Sequence, residues 1–193
     1  PPAACPVPAA IGLDAHVHNG ISQYTGKGNA FHITTDGPVV AYQMLPYNAA
    51  YASTPGATLL IPTSAWDTNY VAVQAWGEAL WQGLPLFASM NLVAMEDGTT
   101  TSIVPKVQIQ GSGNAVPPIG ANQLGVVTLN KGETISFLEG NDLTGSPIQS
   151  NKPIGLFAGH TGLRVPFDVD WSDHAEQQIP PGRALGSEYA VVS

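Results

Sequence analysis

Charge is what this chain has least of. Lys, Arg, Asp and Glu make up 10% of its 193 residues, against about 25% in an ordinary globular protein. Six Lys plus Arg stand against fourteen Asp plus Glu, a net charge of −8. That balance cannot neutralise a phosphate backbone, which excludes nucleic acid as a partner. A surface so poor in charge is built from neutral polar groups, or is covered by neighbours in an assembly. Cysteine is nearly absent. Cys5 stands alone in the proline-rich PPAACPVPAA, so it pairs outside this chain, carries a lipid, or stays a free thiol. No apolar run approaches the ~20 residues of a membrane-spanning helix, and no transmembrane segment is expected. Pro1 is not an initiator Met, which suggests a processed or excerpted chain. Helical periodicity is missing too, except at Val73–Trp81, where Trp76 and Leu80 fall four apart ahead of the Gly83-Leu84-Pro85 stop.

What is present is turn chemistry and strand chemistry. Gly and Pro number 21 and 17, yet apolar residues reach 44%, so the chain is turn-rich rather than disordered. Short runs rich in Val, Ile, Thr and Leu recur at Val39–Gln43, Thr58–Ile61, Tyr70–Gln74, Ser89–Met95, Thr101–Ile109, Leu124–Leu129, Thr134–Leu138, Ile154–Ala158 and Tyr189–Val192. Between them lie Asp97-Gly98, Asn130-Lys131-Gly132 and Gly140-Asn141, which suit hairpins and sharp turns. Glu96–Thr101 reads as a plain hairpin, and Gln110–Gln123 as a mobile surface loop. The expected fold is all-β, an antiparallel, β-sandwich-like structure with little or no helix.

An internal echo adds organisation. Ile33–Tyr42 aligns with Ile148–Phe157 through I-x-x-x-x-P-[VI], pairing Pro38 with Pro153; Ile61-Pro62 meets Ile179-Pro180, and Tyr70–Val73 meets Tyr189–Val192. The repeat length is about 115 to 119 residues. It divides the chain into a Pro/Gly-rich leading segment with an edge strand (1–30), a first β module (31–141), and the start of a second copy packing on the first (142–193). Pro38 and Pro153 are expected to begin equivalent strands.

With these pieces placed, the sequence resembles the N-terminal domain family of the IgG Fc-binding protein, with its bacterial secreted and surface relatives. The resemblance is carried by Ile33–Tyr42, Leu59–Pro62, Asn69–Val71, Ala94–Thr100, Val127–Glu133 and Asp142–Gly145. It continues through Gly159-His160, Asp173–Gln177, Pro180-Pro181 and Gly186–Tyr189, covering about Ala30 to Val192. Relatives carry a cysteine two residues after the His of the GH pair and another directly before DH. Here those positions are Gly162 and Ser172, which implies loss of one disulfide. The resemblance also implies a secreted, non-catalytic domain.

The densest polar set is His160, Asp168, Asp170, Asp173, His174, Glu176 and Gln177. It matches neither a calcium loop nor H-E-x-x-H zinc spacing, so no metal is expected. Instead His160, Asp173, His174, Glu176 and Gln177 are expected to form one structural hydrogen-bonded cluster, or a binding site. Asp14, His16 and His18 alternate along one strand face, a second arrangement that could bind metal but is more simply solvent-exposed. No G-x-S-x-G elbow or phosphate loop accompanies the five histidines, so no catalytic residue and no cofactor are assigned. Ligand stacking falls to Trp76, Trp81, Trp171 and Tyr47, whereas Trp66 and Tyr70 read as core. The expected function is an extracellular or cell-surface adhesion or matrix module binding protein or glycan, with self-association open. The alternative is a structural subunit of a surface layer or filament; a metal-dependent hydrolase ranks last.

Overall fold

Alternating burial shows why the strands form. Ala88–Ala94 and Thr99–Ile103 bury every second residue, and Gly125–Leu129 alternates buried and exposed, as strands with one face on a core must. The protein is represented by a computed structural model that describes residues 25–45, 56–75, 79–81, 84–112, 116–165, 168 and 172–191. In chain order the strands are β1 (Gly26–Asn29), β2 (Tyr42–Leu45), β3 (Gly56–Leu59), β4 (Asp67–Val71), β5 (Ala79–Trp81) and β6 (Leu84–Leu86). They continue with β7 (Ala88–Ala94), β8 (Thr99–Ile103), β9 (Gly125–Leu129), β10 (Glu133–Glu139), β11 (Pro147–Leu163) and β12 (Asp173–Ile179). Two 3-10 turns, Thr63–Ala65 and Gly182–Ala184, follow β3 and β12. The fold is all-β and antiparallel.

β11, seventeen residues long, organises the rest. Its C-terminal half pairs with β7 on one edge and β12 on the other, and β10 and β1 extend that arm beyond β7. Its N-terminal half pairs with β8 and β4, and β9 extends the second arm beyond β8. The two arms form one eight-stranded sheet that curls around a single core. Met90, Leu92, Ile135, Phe137, Ile154 and Leu156 enter it from the first arm, and Tyr70, Ile103, Leu129 and Ile148 from the second. Each fully buried side chain of this size contributes about 1.5–3 kcal/mol.

The bend between the arms is where the turn motifs sit. Glu96-Asp97-Gly98 is not a plain hairpin, because β7 and β8 do not pair with each other but run in the same direction along β11. The segment is a corner. Gly98 supplies φ +64°, and Asn130, Lys131, Asn151 and Lys152 bond to it. Lys131 N donates to Asp97 Oδ1 at 2.9 Å, Thr100 N to Asn151 Oδ1 at 2.8 Å, and Lys152 Nζ to Asp97 O at 2.6 Å.

Three other expectations are corrected. Val73–Trp81 is not helical where described: its end is β5, paired with β6, in which Leu84 and Pro85 of the expected helix stop are strand residues. Where described, Gln110–Gln123 is docked rather than a free surface loop, with Ile119 bridged to Ile109 and the Val116 and Ile119 side chains buried in the core. Pro38 lies in irregular chain and Pro153 inside β11, so neither begins a strand. Residues 142–163 supply the central strand of the sheet to which 88–139 also belong.

Candidate functional site

The strand pleat divides the polar set expected from the sequence. Along β12, Asp173, Ala175 and Gln177 lie on one face and His174, Glu176 and Gln178 on the other. His160 is opposite Ala175 and Gly159 opposite Glu176, so His160 belongs to the first face and Glu176 to the second. The five residues expected to form one cluster thus divide between the two faces of the strand. His160 is fully buried, and its Nδ1 accepts the Gly162 amide at 3.1 Å, which places its proton on Nε2. Asp173 is exposed. Gln177 donates only to the neighbouring Gln178 carbonyl, at 3.1 Å, among the bonds described.

The second face is a seam against the β2–β3 hairpin. Gln43 Nε2 donates to Glu176 Oε2, Gln178 N donates to Thr58 Oγ1 at 2.8 Å, and Ile61 N donates to Gln178 Oε1 at 2.5 Å. Burial raises the Glu176 carboxyl above its ordinary range, the Gln43 bond opposing it. Burial likewise lowers the His174 imidazole, whose buried Nδ1 has no hydrogen-bond partner. Glu176 and Gln178 hold the hairpin in place. Among the described residues no three His, Cys, Asp or Glu side chains converge on one point.

That seam leaves the hairpin inverted. Gln43 and Thr58 are opposite each other and turn toward β12, so Tyr42 and Leu59, also opposite each other, turn to solvent together with Met44. Thr58 is buried on the side of β12 while Gln43 stays exposed as it reaches Glu176, so the hairpin leaves its apolar face in water, the reverse of ordinary strand patterning. Phe31, Ile33, Val39 and Val40 precede it in the chain and are exposed as well. These are the residues the sequence reading missed, although the polar alternation Gln43/Thr58 was there to find them. Of the aromatics singled out, Trp76, Trp171 and Tyr47 lie outside the described residues, as do Cys5, Asp14, His16, His18 and Asp170. Trp81 is in β5 and Asp168 in an exposed turn. Trp66 and Tyr70 are core, at 9% and 4% exposure.

A shallow groove lies elsewhere, lined by Asn69, Tyr70, Ser102, Val104, Leu124 and Pro147 among others. Its one titratable group, the Tyr70 hydroxyl, is raised in pKa by burial and donates to Ile154 O at 2.7 Å. That leaves no free acid or base there.

The Gly162–Ser172 pair closes the geometry. A Cβ built on Gly162 falls 3.2 Å from Ser172 Oγ, so the two positions at which the resemblance implies a lost disulfide are neighbours across the β11–β12 end. The profile of the IgGFc binding protein family matches residues 56–193. The chain belongs to that family. No curated protein and no solved structure matches. The family is a binding family rather than an enzyme family, and no helix among the described residues is long and apolar enough to cross a membrane.

Proposed function

We propose that this IgGFc-binding family member is a non-catalytic extracellular adhesion or matrix module that binds protein or glycan through its outward apolar hairpin. The inverted β2–β3 hairpin carries the reading. Tyr42, Met44 and Leu59 expose apolar surface whose burial by a partner releases roughly 25 cal/mol per Å², and an aromatic beside aliphatic side chains suits either a protein patch or the face of a sugar ring. The polar seam of Glu176 and Gln178 is structural: its bonds to Gln43, Thr58 and Ile61 hold the hairpin at the angle that presents this face. His160 is buried on the opposite face of β12.

Immobilised chain should bind one or more of IgG Fc, mucin and arrayed extracellular glycans, and Tyr42→Ser with Leu59→Ser should abolish that binding with thermal stability unchanged. Binding that survives the double substitution would move the site elsewhere. Turnover of an ester, peptide or glycoside without any binding would replace the reading with an enzyme. The structural-subunit reading has its own support, in the repeat-related segments below.

A further inference from the structure

The repeat recurs as hydrogen bonds. In the first unit Ala65 N donates to Pro62 O at 2.9 Å and Trp66 N to Thr63 O at 3.1 Å; in the second Ala184 N donates to Pro181 O at 2.9 Å and Leu185 N to Gly182 O at 3.3 Å. The Tyr70 hydroxyl accepts the Asp67 amide, and the Tyr189 hydroxyl accepts the Gly186 amide, three residues back in both cases. Upstream, Ser150 Oγ donates to Lys152 O just before Pro153, and Thr35 Oγ1 donates to Gly37 O just before Pro38. Ile33–Tyr42 therefore reproduces a local bond of Ile148–Phe157, and Pro181–Tyr189 those of Pro62–Tyr70, so in the structure Pro62 corresponds to Pro181, one residue on from the Ile61-Pro62 and Ile179-Pro180 alignment of the sequences.

One pair of these segments is docked, and among the described residues the other has no strand beside it. β12 leaves the edge of β11 at Leu156, and β4 takes over that edge from Ile154 back to Pro147, setting Tyr70 opposite Ile148. Trp66 lies over Gly155. In the other unit β3 leaves the edge of β2 at Ala41, with Leu60 N donating to Ala41 O at 2.9 Å. Among the described residues no strand takes over from Val40 back to His32. Val40 is 71% exposed, and Tyr189, the counterpart of Tyr70, is also 71% exposed. The side chains at the contact change together. Where the docked pair has Trp66 and Gly155, the corresponding positions of the other pair hold Leu185 and Val40, a smaller residue and a larger one.

We propose that Leu185–Ala190 of one chain docks on His32–Val40 of a second copy as a strand, repeating the β4–β11 contact between molecules. Tyr189 then lies opposite Ile33, Gly186 opposite Val39, and the Tyr189 hydroxyl donates to Val39 O as Tyr70 does to Ile154 O. Donor and acceptor are different surfaces, so the contact is head-to-tail and can extend into a filament. The proposal rests on the reading that this module works by association, but uses residues apart from Tyr42 and Leu59.

The test is sedimentation of the chain and of Val40→Glu and Tyr189→Glu. The wild type should associate with rising concentration and each variant should be monomeric. An equimolar mixture of the two variants should form a dimer and go no further, because one intact donor meets one intact acceptor. Ile33→Glu with Leu185→Glu provides a second pair should either variant lose its folded circular dichroism spectrum. A wild type monomeric up to its solubility limit, variants that associate like the wild type, or a mixture that stays monomeric would each overturn the docking. Ligand capture that persists in the monomeric variants leaves the binding function standing without this contact. Loss of ligand capture in the Tyr42/Leu59 variant with self-docking intact would do the reverse.

Discussion

Two tyrosines with the same local bond have different environments, and substitution should separate them. Tyr70 donates to Ile154 O in the core, so Tyr70→Phe leaves a buried carbonyl unpaired and should cost about 1–3 kcal/mol in chemical denaturation. Tyr189→Phe should leave monomer stability within about 0.5 kcal/mol, since the residue is exposed. The half-buried groups of the seam give a pH signature. His174 is lowered by burial, so the unfolded chain takes up a proton that the folded chain refuses, and stability falls as pH drops below the ordinary 6.5. Glu176 is raised, so its penalty grows as pH rises above the ordinary 4.5 and is absent below it. Thermal melts across pH 4 to 8 should show His174→Asn removing the fall below 6.5 and Glu176→Gln raising the melting temperature at neutral pH. An unchanged profile in both would place these side chains in water.

At the scale of elements, the missing bridge and the swapped contact are both accessible. Gly162→Cys with Ser172→Cys should oxidise spontaneously, since the two positions face each other, and closing so short a loop gives at most about 2–3 kcal/mol. A Cβ on Gly162 also meets Leu86 Cδ1 at 2.7 Å, so the gain should approach that figure only where Leu86 changes rotamer. Thiol titration and melting with and without reductant read both effects. Gly155→Val should cost about 1–3 kcal/mol, because even its Cβ comes within 2.7 Å of the Trp66 ring. Adding Trp66→Leu should recover part of the loss, copying the Leu185/Val40 combination; a double-mutant cycle with no coupling would mean that the two residues do not press on one another. The strand elements were largely legible, since Ser89–Met95, Leu124–Leu129 and Thr134–Leu138 overlap β7, β9 and β10 closely. The corner at Asp97-Gly98 was not, because a tight turn looks the same whether the strands beside it pair with each other or with a third strand.

For the whole molecule, the charge balance sets how association responds to salt. A net charge of −8 repels like copies, and raising ionic strength screens that repulsion over a Debye length of about 8–10 Å. Self-association should therefore strengthen modestly with salt, the opposite of a contact held by ion pairs. Sedimentation at low and high salt reads the sign, and weakening would point to a charged interface. The core leaves such association independent of folding, because β11 links both arms around one set of buried side chains.

By itself the sequence determined the class of fold and the place of most strands, because alternation and turn geometry act within a few residues, and its motifs determined the family. It also determined that Gly162 and Ser172 correspond, through the family motif. Only the tertiary structure decided which of two tyrosines with the same local bond is docked. Tyr70 reaches the carbonyl of Ile154 across 84 residues of chain, whereas Tyr189 keeps the same local bond and faces solvent. It also split the polar residues of β12 between two faces and turned Tyr42 and Leu59 outward. The physical reason is that a strand's own pattern says that one face is to be buried, whereas the neighbour that buries it is set by pairing between residues far apart in sequence.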